Sequence, residues 1–294
     1  MLIGDMVNHH LSAYDTIPEN FLEQVSSDSA LGIPSSSYCA GFELQAWRSN
    51  QLADHFIEWL ADYALKEDEL AVSHGNMYVR LREAAARVYK SENYKKRGEI
   101  GEIALHAICR EFFNTIPITP RVFYLTSSNE VVKSFDSVHV RYPDSSPEIW
   151  LGEAKFFQDR NAGIKDAIAS VRKHIDQGFL HNQKLILGPQ ISKNIPHYDI
   201  IRSFFSSNTS LDKLFQSAVF PICVAANSDH TSSSSAIDQA YRDGIADELH
   251  DLAATVKASG LEGKIRLVLL YVPLGCKMTL AKAFDDRLKG LNPC

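Results

Sequence analysis

Apolar residues in the first ninety positions recur at the spacing of helices. The pattern is clearest over 52–64, and residues 77–90 form a second stretch rich in good helix formers. Ahead of these helices, residues 26–37 are rich in Ser, Gly and Pro, which predicts a surface loop. We therefore predict a mostly helical N-terminal region that covers residues 1–90.

From residue 98 onward, the hydrophobic pattern predicts helices and strands in alternation. The predicted elements are, in order, a helix over 98–113, strands over 121–128, 134–142 and 148–157, a helix over 162–175 and a strand over 183–188. The C-terminal third adds strands over 220–227 and 264–275, each followed by a helix. Strands rich in Val, Ile, Leu and Phe between helices indicate a mixed sheet covered on both faces. We predict an α/β fold with an α-β-β-β-α-β core in a domain over residues 91–294.

Composition narrows the class of protein. The formal net charge is -6 and the sequence pI is about 6.0, so bulk positive charge does not attract this chain to nucleic acid. The five cysteines are widely spaced and odd in number, which argues against a disulfide framework and favours a reducing compartment. The longest apolar run, residues 265–275, is too short to cross a bilayer, and the start of the chain lacks the pattern of a signal peptide. We therefore expect a cytoplasmic protein that does not contact a membrane.

Two charged residues interrupt the apolar strand predicted over 148–157. Side chains alternate along a strand, so Glu153 and Lys155 share one face, where burial of a charge is costly unless it is compensated. The preceding strand carries Asp136 at the start of its apolar row, and turn-forming residues between the strands predict a hairpin that brings Asp136 close to Glu153. Neighbouring carboxylates repel each other unless a cation intervenes, and Mg²⁺ prefers oxygen ligands. A lysine beside them can polarise a water molecule or neutralise charge on a phosphate.

The two helices that flank these strands carry further candidates. Glu99, Glu102 and His106 share one arc of the helix over 98–113. An acidic first turn also favours the helix dipole, so we take Glu102 as the functional candidate and Glu99 as its alternative. Candidate phosphate contacts on the later helix are Arg172, Lys173 and His174. The alternative explanation for these three is an ordinary exposed helix face.

An acid two residues before a lysine is not informative by itself, because the chain contains this spacing twice. Glu262 and Lys264 repeat it in a predicted turn that no acid-bearing strand precedes. What distinguishes Glu153 and Lys155 is the order of the surrounding elements. A helix with an acid comes first, then a strand with an Asp, then the strand with Glu153 and Lys155, and then a further helix.

Three segments in this order resemble a known superfamily. They are "RGEIGEIALH" (97–106), "KSFDSVHV" (133–140) and "WLGEAKFF" (150–157). These segments resemble the PD-(D/E)xK nucleases, whose restriction-endonuclease-like core has the order α-β-β-β-α-β. Across most of the chain the sequence is similar to the HamA family, the nuclease subunit of the Hachiman anti-phage defence system.

The resemblance implies roles for individual residues. The implied roles are Asp136 and Glu153 as metal-binding acids, Ala154 as a further ligand through its backbone carbonyl, Lys155 as the motif lysine, and Glu102, or alternatively Glu99, as the helix acid. The superfamily's usual Pro before the Asp is replaced here by Phe135. The implied cofactor is Mg²⁺, for which Mn²⁺ can substitute.

The implied activity is that of a Mg²⁺-dependent deoxyribonuclease, an endonuclease that hydrolyses phosphodiester bonds of DNA in anti-phage defence. The sequence has no G-x-x-x-x-G-K-[ST] motif, so the implied partner, a superfamily 2 helicase of the HamB type, would supply the ATP-driven motor. Two alternatives stay open. One is a non-catalytic interaction subunit in which Glu153 and Lys155 form a buried ion pair, and the other is a stand-alone restriction or junction-resolving nuclease.

Overall fold

A computed structural model describes residues 13–89, 98–119, 135–143 and 146–291 of the chain. Its strands are β1 (Glu23–Asp28), β2 (Ser35–Cys39), β3 (Phe42–Glu43), β4 (Ala46–Trp47), β5 (Ile116–Pro117), β6 (Ser137–Arg141), β7 (Glu148–Phe157), β8 (Ala218–Asn227) and β9 (Arg266–Leu274). Its helices are α1 (Ser49–Glu58), α2 (Leu60–Ala64), α3 (Met77–Val88), α4 (Glu99–Phe113), α5 (Arg160–His174), α6 (Gln177–Leu187), α7 (Tyr198–Phe204), α8 (Leu211–Ser217), α9 (Asp229–Ser233), α10 (Gln239–Ala258) and α11 (Lys277–Leu291).

Seven strands form one mixed sheet in the order β1-β2-β9-β8-β7-β6-β5. The neighbours from β2 to β7 run parallel, while β1 at one edge and the β6–β7 hairpin at the other are antiparallel. All but the last residue of β8 is buried, as expected for a parallel strand covered on both faces. The fold is therefore the α/β arrangement with a mixed sheet that the hydrophobic pattern predicts.

The two faces of the sheet pack against different helices. Trp150, Ala154 and Phe156 of β7 lie in a core with α1, α4 and α11, and we call this side the α4 face. Ile149 and Leu151 of β7 lie in a second core with α5 and α10, on the side that we call the α5 face. Because side chains alternate along a strand, the odd-numbered residues of β7 point toward α5.

The N-terminal region differs from its prediction over residues 26–37. Instead of one surface loop, half of this segment belongs to β1 and β2, which pair with each other and join the sheet through β9. Only the connection between the strands is a turn, where Gly32 has a φ of 77°. Tertiary pairing overrides the weak strand preference of the serines, and Ser35 and Ser37 are buried. The helices predicted downstream are confirmed as α1 to α3, and the domain boundary at residue 90 stays a prediction.

One strand prediction is wrong. Residues 183–188 are not a strand, because Asp176 caps α6 by accepting hydrogen bonds from the amides of Gly178 and Phe179, and the helix runs through to Leu187. A short apolar run does not by itself distinguish a strand from a helix. The strand that completes the α-β-β-β-α-β core is β8.

The remaining predicted elements are confirmed, with one segment untested. The helices and strands predicted after residue 98 match α4, β6, β7, α5, β8, α10, β9 and α11. The predicted strand over 121–128 lies outside the described residues, and β5 is the strand that pairs with β6. Among the helices that the structure describes, none combines the length and the apolar character needed to cross a lipid bilayer.

Candidate metal and acid–lysine site

The β6–β7 hairpin places Asp136 beside the backbone of β7. Ser137 is the ladder partner of Gly152, and the amide of Asp136 also donates to the Gly152 carbonyl, at 2.8 Å. Asp136 thus adds one hydrogen bond to the hairpin just before β6 begins at Ser137. The carboxylate of Asp136 accepts a hydrogen bond from the amide of Ala154 at 2.9 Å. The predicted hairpin is confirmed, and its end holds Asp136 against the residue between Glu153 and Lys155.

The side chain of Asp136 does not follow the alternation of β6, because the residue lies just before the strand begins. Strict alternation predicts that Asp136 lies on the face of Val138, but the hydrogen bond to Ala154 draws its carboxylate to the strand edge. There it borders a cavity of about 10 Å³, which has room for one water-sized occupant. Tyr63 and His106 from the α4 face line the same cavity.

The backbone carbonyl of Ala154 is directed toward the same edge. The amide and the carbonyl of one strand residue point to the same side, so the Ala154 carbonyl follows its amide toward Asp136. The carbonyl of Gly152, two residues earlier, accepts from Asp136 and confirms this direction. Because the ladder pairs of β6 stop at Ser137, this edge of β7 presents a carbonyl and a carboxylate together.

Glu153 and Lys155 point toward α5, as their alternation predicts. Their side chains form an ion pair, with Lys155 Nζ 2.9 Å from Glu153 Oε1. Only 3% of Glu153 is exposed. The ammonium group also lies 2.7 Å from Asp166 Oδ2 and donates to Ser170 Oγ at 3.1 Å. The second oxygen of Glu153 lies 3.2 Å from His174 Nδ1.

The pKa values of the pair are shifted in opposite directions. Burial alone would raise the pKa of Glu153, but the nearby His174 and Lys155 outweigh it, so the pKa lies below its ordinary 4.5. Burial alone would lower the pKa of Lys155, but Glu153 and Asp166 outweigh it and raise the pKa above 10.5. Both groups are therefore charged at neutral pH despite their burial.

The predicted helix acid lies on the other face of the sheet. Gly101 packs against β7 so closely that an added Cβ would lie 3.3 Å from the carbonyl carbon of Lys155. Glu102 accepts a hydrogen bond from the hydroxyl of Tyr63 at 2.5 Å. Glu99 and Glu102 are both half-buried. The structure therefore connects Glu102 to the cavity beside Asp136 through Tyr63, while Glu153 and Lys155 contact α5.

A buried network, which we call the α4-face network, lies next to that cavity. Its members are Asp62, His106, Arg110, Thr115 and His139. Asp62 accepts from Nε2 of His106 at 2.6 Å and from Arg110, and so His106 Nδ1 accepts from Nε2 of His139, at 3.1 Å. His139 Nδ1 in turn accepts from the hydroxyl of Thr115. Burial lowers the pKa of both histidines below 6.5, so both rings are neutral at neutral pH, and these donor directions are the ones that two neutral rings beside the Asp62 carboxylate allow.

The three candidate phosphate contacts do not form one cluster. Arg172 donates to the carbonyl of Ser259 at 2.8 Å, Lys173 is exposed, and His174 contacts Glu153. The sequence prediction missed Asp166 and Ser170. The sequence feature that could have identified them is their spacing. Asp166 lies eight residues and Ser170 four residues before His174, which places all three on one side of a helix.

The donors beside Asp136 match the chemistry of a hard divalent cation. Across residues 13–89, 98–119, 135–143 and 146–291, no three side chains of Asp, Glu, His or Cys converge as a ready set of metal ligands. Two carboxylates and one carbonyl, from Asp136, Glu153 and Ala154, nevertheless lie on adjoining residues of one hairpin. Among the described residues, Glu153 Oε2 has no hydrogen-bond partner of good geometry although it is buried. Oxygen donors of this kind are the ligands that Mg²⁺ or Mn²⁺ prefers. One ion would have to bridge the Asp136 carboxylate, which borders the cavity beside Tyr63 and His106, and the Glu153 carboxylate, which points toward α5.

The protein is of the α/β class, with a mixed sheet between helices. The order of its helices and strands is that of a restriction-endonuclease-like core, and a hairpin with Asp136 lies beside a buried acid–lysine pair. The chain belongs to the HamA family, whose family model, described as HamA, matches residues 15–288. It also matches anti-bacteriophage protein A of Escherichia coli (strain K12), with 23% identity over 125 residues. That alignment covers 42% of this chain and 23% of the relative, so the chain matches less than a quarter of the relative's length.

Proposed function

We propose that this protein is a metal-dependent DNA endonuclease that acts in anti-phage defence. The observation that carries the proposal is the buried pair of Glu153 and Lys155 next to a hairpin that holds the Asp136 carboxylate against the amide of Ala154. Membership of the HamA family and the anti-bacteriophage name of the E. coli relative support the defence role.

In this proposal, different residues of the chain would hold the metal ion and stabilise charge on the phosphate. Asp136, Glu153 and the Ala154 carbonyl would hold Mg²⁺ or Mn²⁺, with Glu102 as an additional acid on the side of Tyr63. When bound there, such an ion would supply a Lewis acid for the water molecule and for the phosphate oxygens. Lys155 keeps its positive charge because two carboxylates adjoin it, and it stabilises the negative charge that develops on the scissile phosphate.

The proposed partner is a superfamily 2 helicase, and the proposed compartment is the cytoplasm. A net charge of -6 makes this chain a weak DNA binder on its own, because affinity for DNA depends on cations that neutralise phosphates. The sequence also lacks an ATP-binding Walker motif. A partner that brings DNA to the site and supplies the motor accounts for both properties.

The second acid–lysine spacing of this chain provides a matched control. Lys264 lies in a turn before β9, far along the chain from the hairpin of Asp136. We expect Lys155→Ala to lower the rate of DNA cleavage by about a thousandfold or more, measured with Mg²⁺ and the co-expressed helicase. Lys264→Ala is expected to cleave like the parent. Equal rates for the parent and Lys155→Ala would refute the proposal.

One observation favours a second candidate, the non-catalytic interaction subunit. The ammonium of Lys155 already contacts Glu153, Asp166 and Ser170, as a purely structural ion pair would. Titration calorimetry with Mn²⁺ separates the two candidates. The nuclease proposal expects Mn²⁺ to bind the parent and to bind at least about tenfold more weakly to Asp136→Ala, whereas the structural pair predicts no difference.

A further inference from the structure

Helix α5 presents three polar side chains to the acid–lysine pair. Asp166, Ser170 and His174 are spaced by four residues, so they form one stripe along the helix, which we call the α5 stripe. Each of them contacts Glu153 or Lys155. We propose that the α5 stripe consists of positioning residues, in which Asp166 and Ser170 fix Lys155 while His174 fixes Glu153. This inference rests on the proposed nuclease function.

The contacts of Lys155 determine where its ammonium group lies. An ammonium group has three N–H donors, and three oxygens surround it, from Glu153 at 2.9 Å, Asp166 at 2.7 Å and Ser170 at 3.1 Å. Lysine has a long and flexible stem that otherwise samples many rotamers. Two of the three contacts come from α5, so this helix restricts Lys155 to one position beside the hairpin.

The ring of His174 is held in one orientation by aromatic neighbours. It stacks on Phe179 with ring centres 4.6 Å apart and planes 18° apart, and it meets the edge of Phe135 at 4.9 Å. Phe135 directly precedes Asp136, so the same segment that carries the metal-binding aspartate also braces His174. The ring therefore directs Nδ1 toward Glu153 Oε2.

The contact between Glu153 and His174 leaves room for a further ligand. Within the described ranges, both Glu153 Oε2 and His174 Nδ1 are buried without a well-aligned hydrogen bond, although they lie 3.2 Å apart. Leaving such atoms unsatisfied costs stability, so a cluster built only for stability would align them. The neighbouring positions of α5, including Ile164, Ala167 and Val171, pack into the apolar core as usual. The polar stripe is thus confined to the side of the helix that faces Glu153 and Lys155.

The first test compares Asp166→Asn with Asp247→Asn, an exposed carboxylate on α10. Because misplacing a catalytic group by about 1 Å costs on the order of a hundredfold, we expect Asp166→Asn to lower kcat by about 10- to 100-fold. KM for DNA and the affinity for Mn²⁺ should stay within about twofold of the parent, because Asp166 contacts only the lysine side. Ser170→Ala should lower kcat by a smaller factor, and Ser170→Thr, which keeps the hydroxyl, should restore it. A kcat for Asp166→Asn equal to or above that of the parent would overturn the inference.

The second test measures Mn²⁺ affinity without DNA or turnover. Residues that orient metal ligands typically contribute about 10- to 100-fold to metal affinity, so we expect His174→Ala to bind Mn²⁺ about tenfold more weakly. His174→Asn, which retains a side-chain nitrogen close to the backbone, should recover most of this affinity, and His181→Ala on the exposed side of α6 should match the parent. Parent-like affinity in His174→Ala would contradict its positioning role.

The two tests separate this inference from the function on which it rests. If the parent neither binds Mn²⁺ nor cleaves DNA with its helicase, the nuclease proposal fails and the inference fails with it. If the parent cleaves and binds Mn²⁺ but the stripe variants behave like their controls, the inference alone fails. Melting temperatures of all variants within a few degrees of the parent establish that each one folds.

Discussion

Two buried polar clusters lie on opposite faces of the same sheet, and they differ in how completely their groups are satisfied. In the α4-face network, every ring nitrogen of His106 and His139 has a partner, and Asp62 binds both His106 and Arg110. On the α5 face, the contact between Glu153 and His174 is poorly aligned, and Asp166 is 52% exposed. A fully satisfied buried network specifies structure, whereas the cluster on the α5 face reaches solvent through Asp166 and leaves carboxylate oxygens accessible to a ligand.

The largest expected effect is a loss of DNA cleavage on mutation of the α5 face, with little loss of folding stability. Glu153→Gln keeps the shape of the side chain but removes a charge from the proposed site, and we expect about a thousandfold slower cleavage, equivalent to about 4 kcal/mol. Because Lys155 retains Asp166 and Ser170, the free energy of unfolding should fall by less than about 2 kcal/mol. Cleavage assays and urea unfolding of the same preparation measure both quantities. Glu262→Gln is the control and should change neither substantially.

The next effect concerns stability on the α4 face. Arg110 donates to Asp62 and to the carbonyls of Tyr14 and Thr115, so Arg110→Met leaves a buried carboxylate without its main cation. We expect the free energy of unfolding to fall by about 3–5 kcal/mol. Arg172→Met, which removes one hydrogen bond at the surface, should cost less than about 1 kcal/mol. Urea unfolding checks both variants, and similar losses would contradict the role of Arg110 as the main cation beside the buried Asp62.

A smaller effect is a loss of stability in mild acid. The pKa values of His106 and His139 are lowered by burial from 6.5, so the unfolded chain binds protons below pH 6.5 that the folded chain does not. The free energy of unfolding is therefore highest above pH 6.5 and falls as the pH decreases below it. His139→Gln should reduce this pH dependence, while His181→Gln should preserve it. A flat profile for the parent over this range would argue against neutral buried histidines.

The smallest effect comes from a single hydroxyl. Thr115→Val removes the donor to His139 Nδ1 and leaves a buried acceptor unsatisfied, which should lower the free energy of unfolding by about 1 kcal/mol. Thr255→Val removes a hydroxyl that bonds only within α10 and should cost less. Thermal unfolding of the two variants measures the difference, and equal melting temperatures would show that the network tolerates a missing member.

Much of the fold was predictable because periodicity reports burial directly. The alternation in β7 placed Glu153 and Lys155 on one face, and turn residues predicted the β6–β7 hairpin that carries Asp136. The failures are also physical. The strand predicted over 183–188 is the end of α6, where a capping aspartate outweighs a short apolar run, and β1 and β2 form from serine-rich segments because β9 supplies the pairing.

The site was predictable only in part. Element order separated Glu153 and Lys155 from the same spacing at 262–264, which the structure places in a turn. Asp136 lies just outside β6, so alternation along the strand did not predict that its carboxylate would turn to the strand edge. The contacts of Asp166 depend on how α5 packs against β7. Its spacing of four residues from Ser170 does not by itself reveal them, because polar residues on any exposed helix face share this spacing.

Diffraction from crystals of the protein soaked in Mn²⁺ tests the central claim most directly, because the anomalous signal locates the ion independently of activity. The account predicts a single strong peak within bonding distance of the Asp136 carboxylate and the Ala154 carbonyl, next to Glu153, and no such peak in crystals of Asp136→Ala. Parent crystals with no peak at this edge of β7, or with the same peak retained in Asp136→Ala, would contradict it.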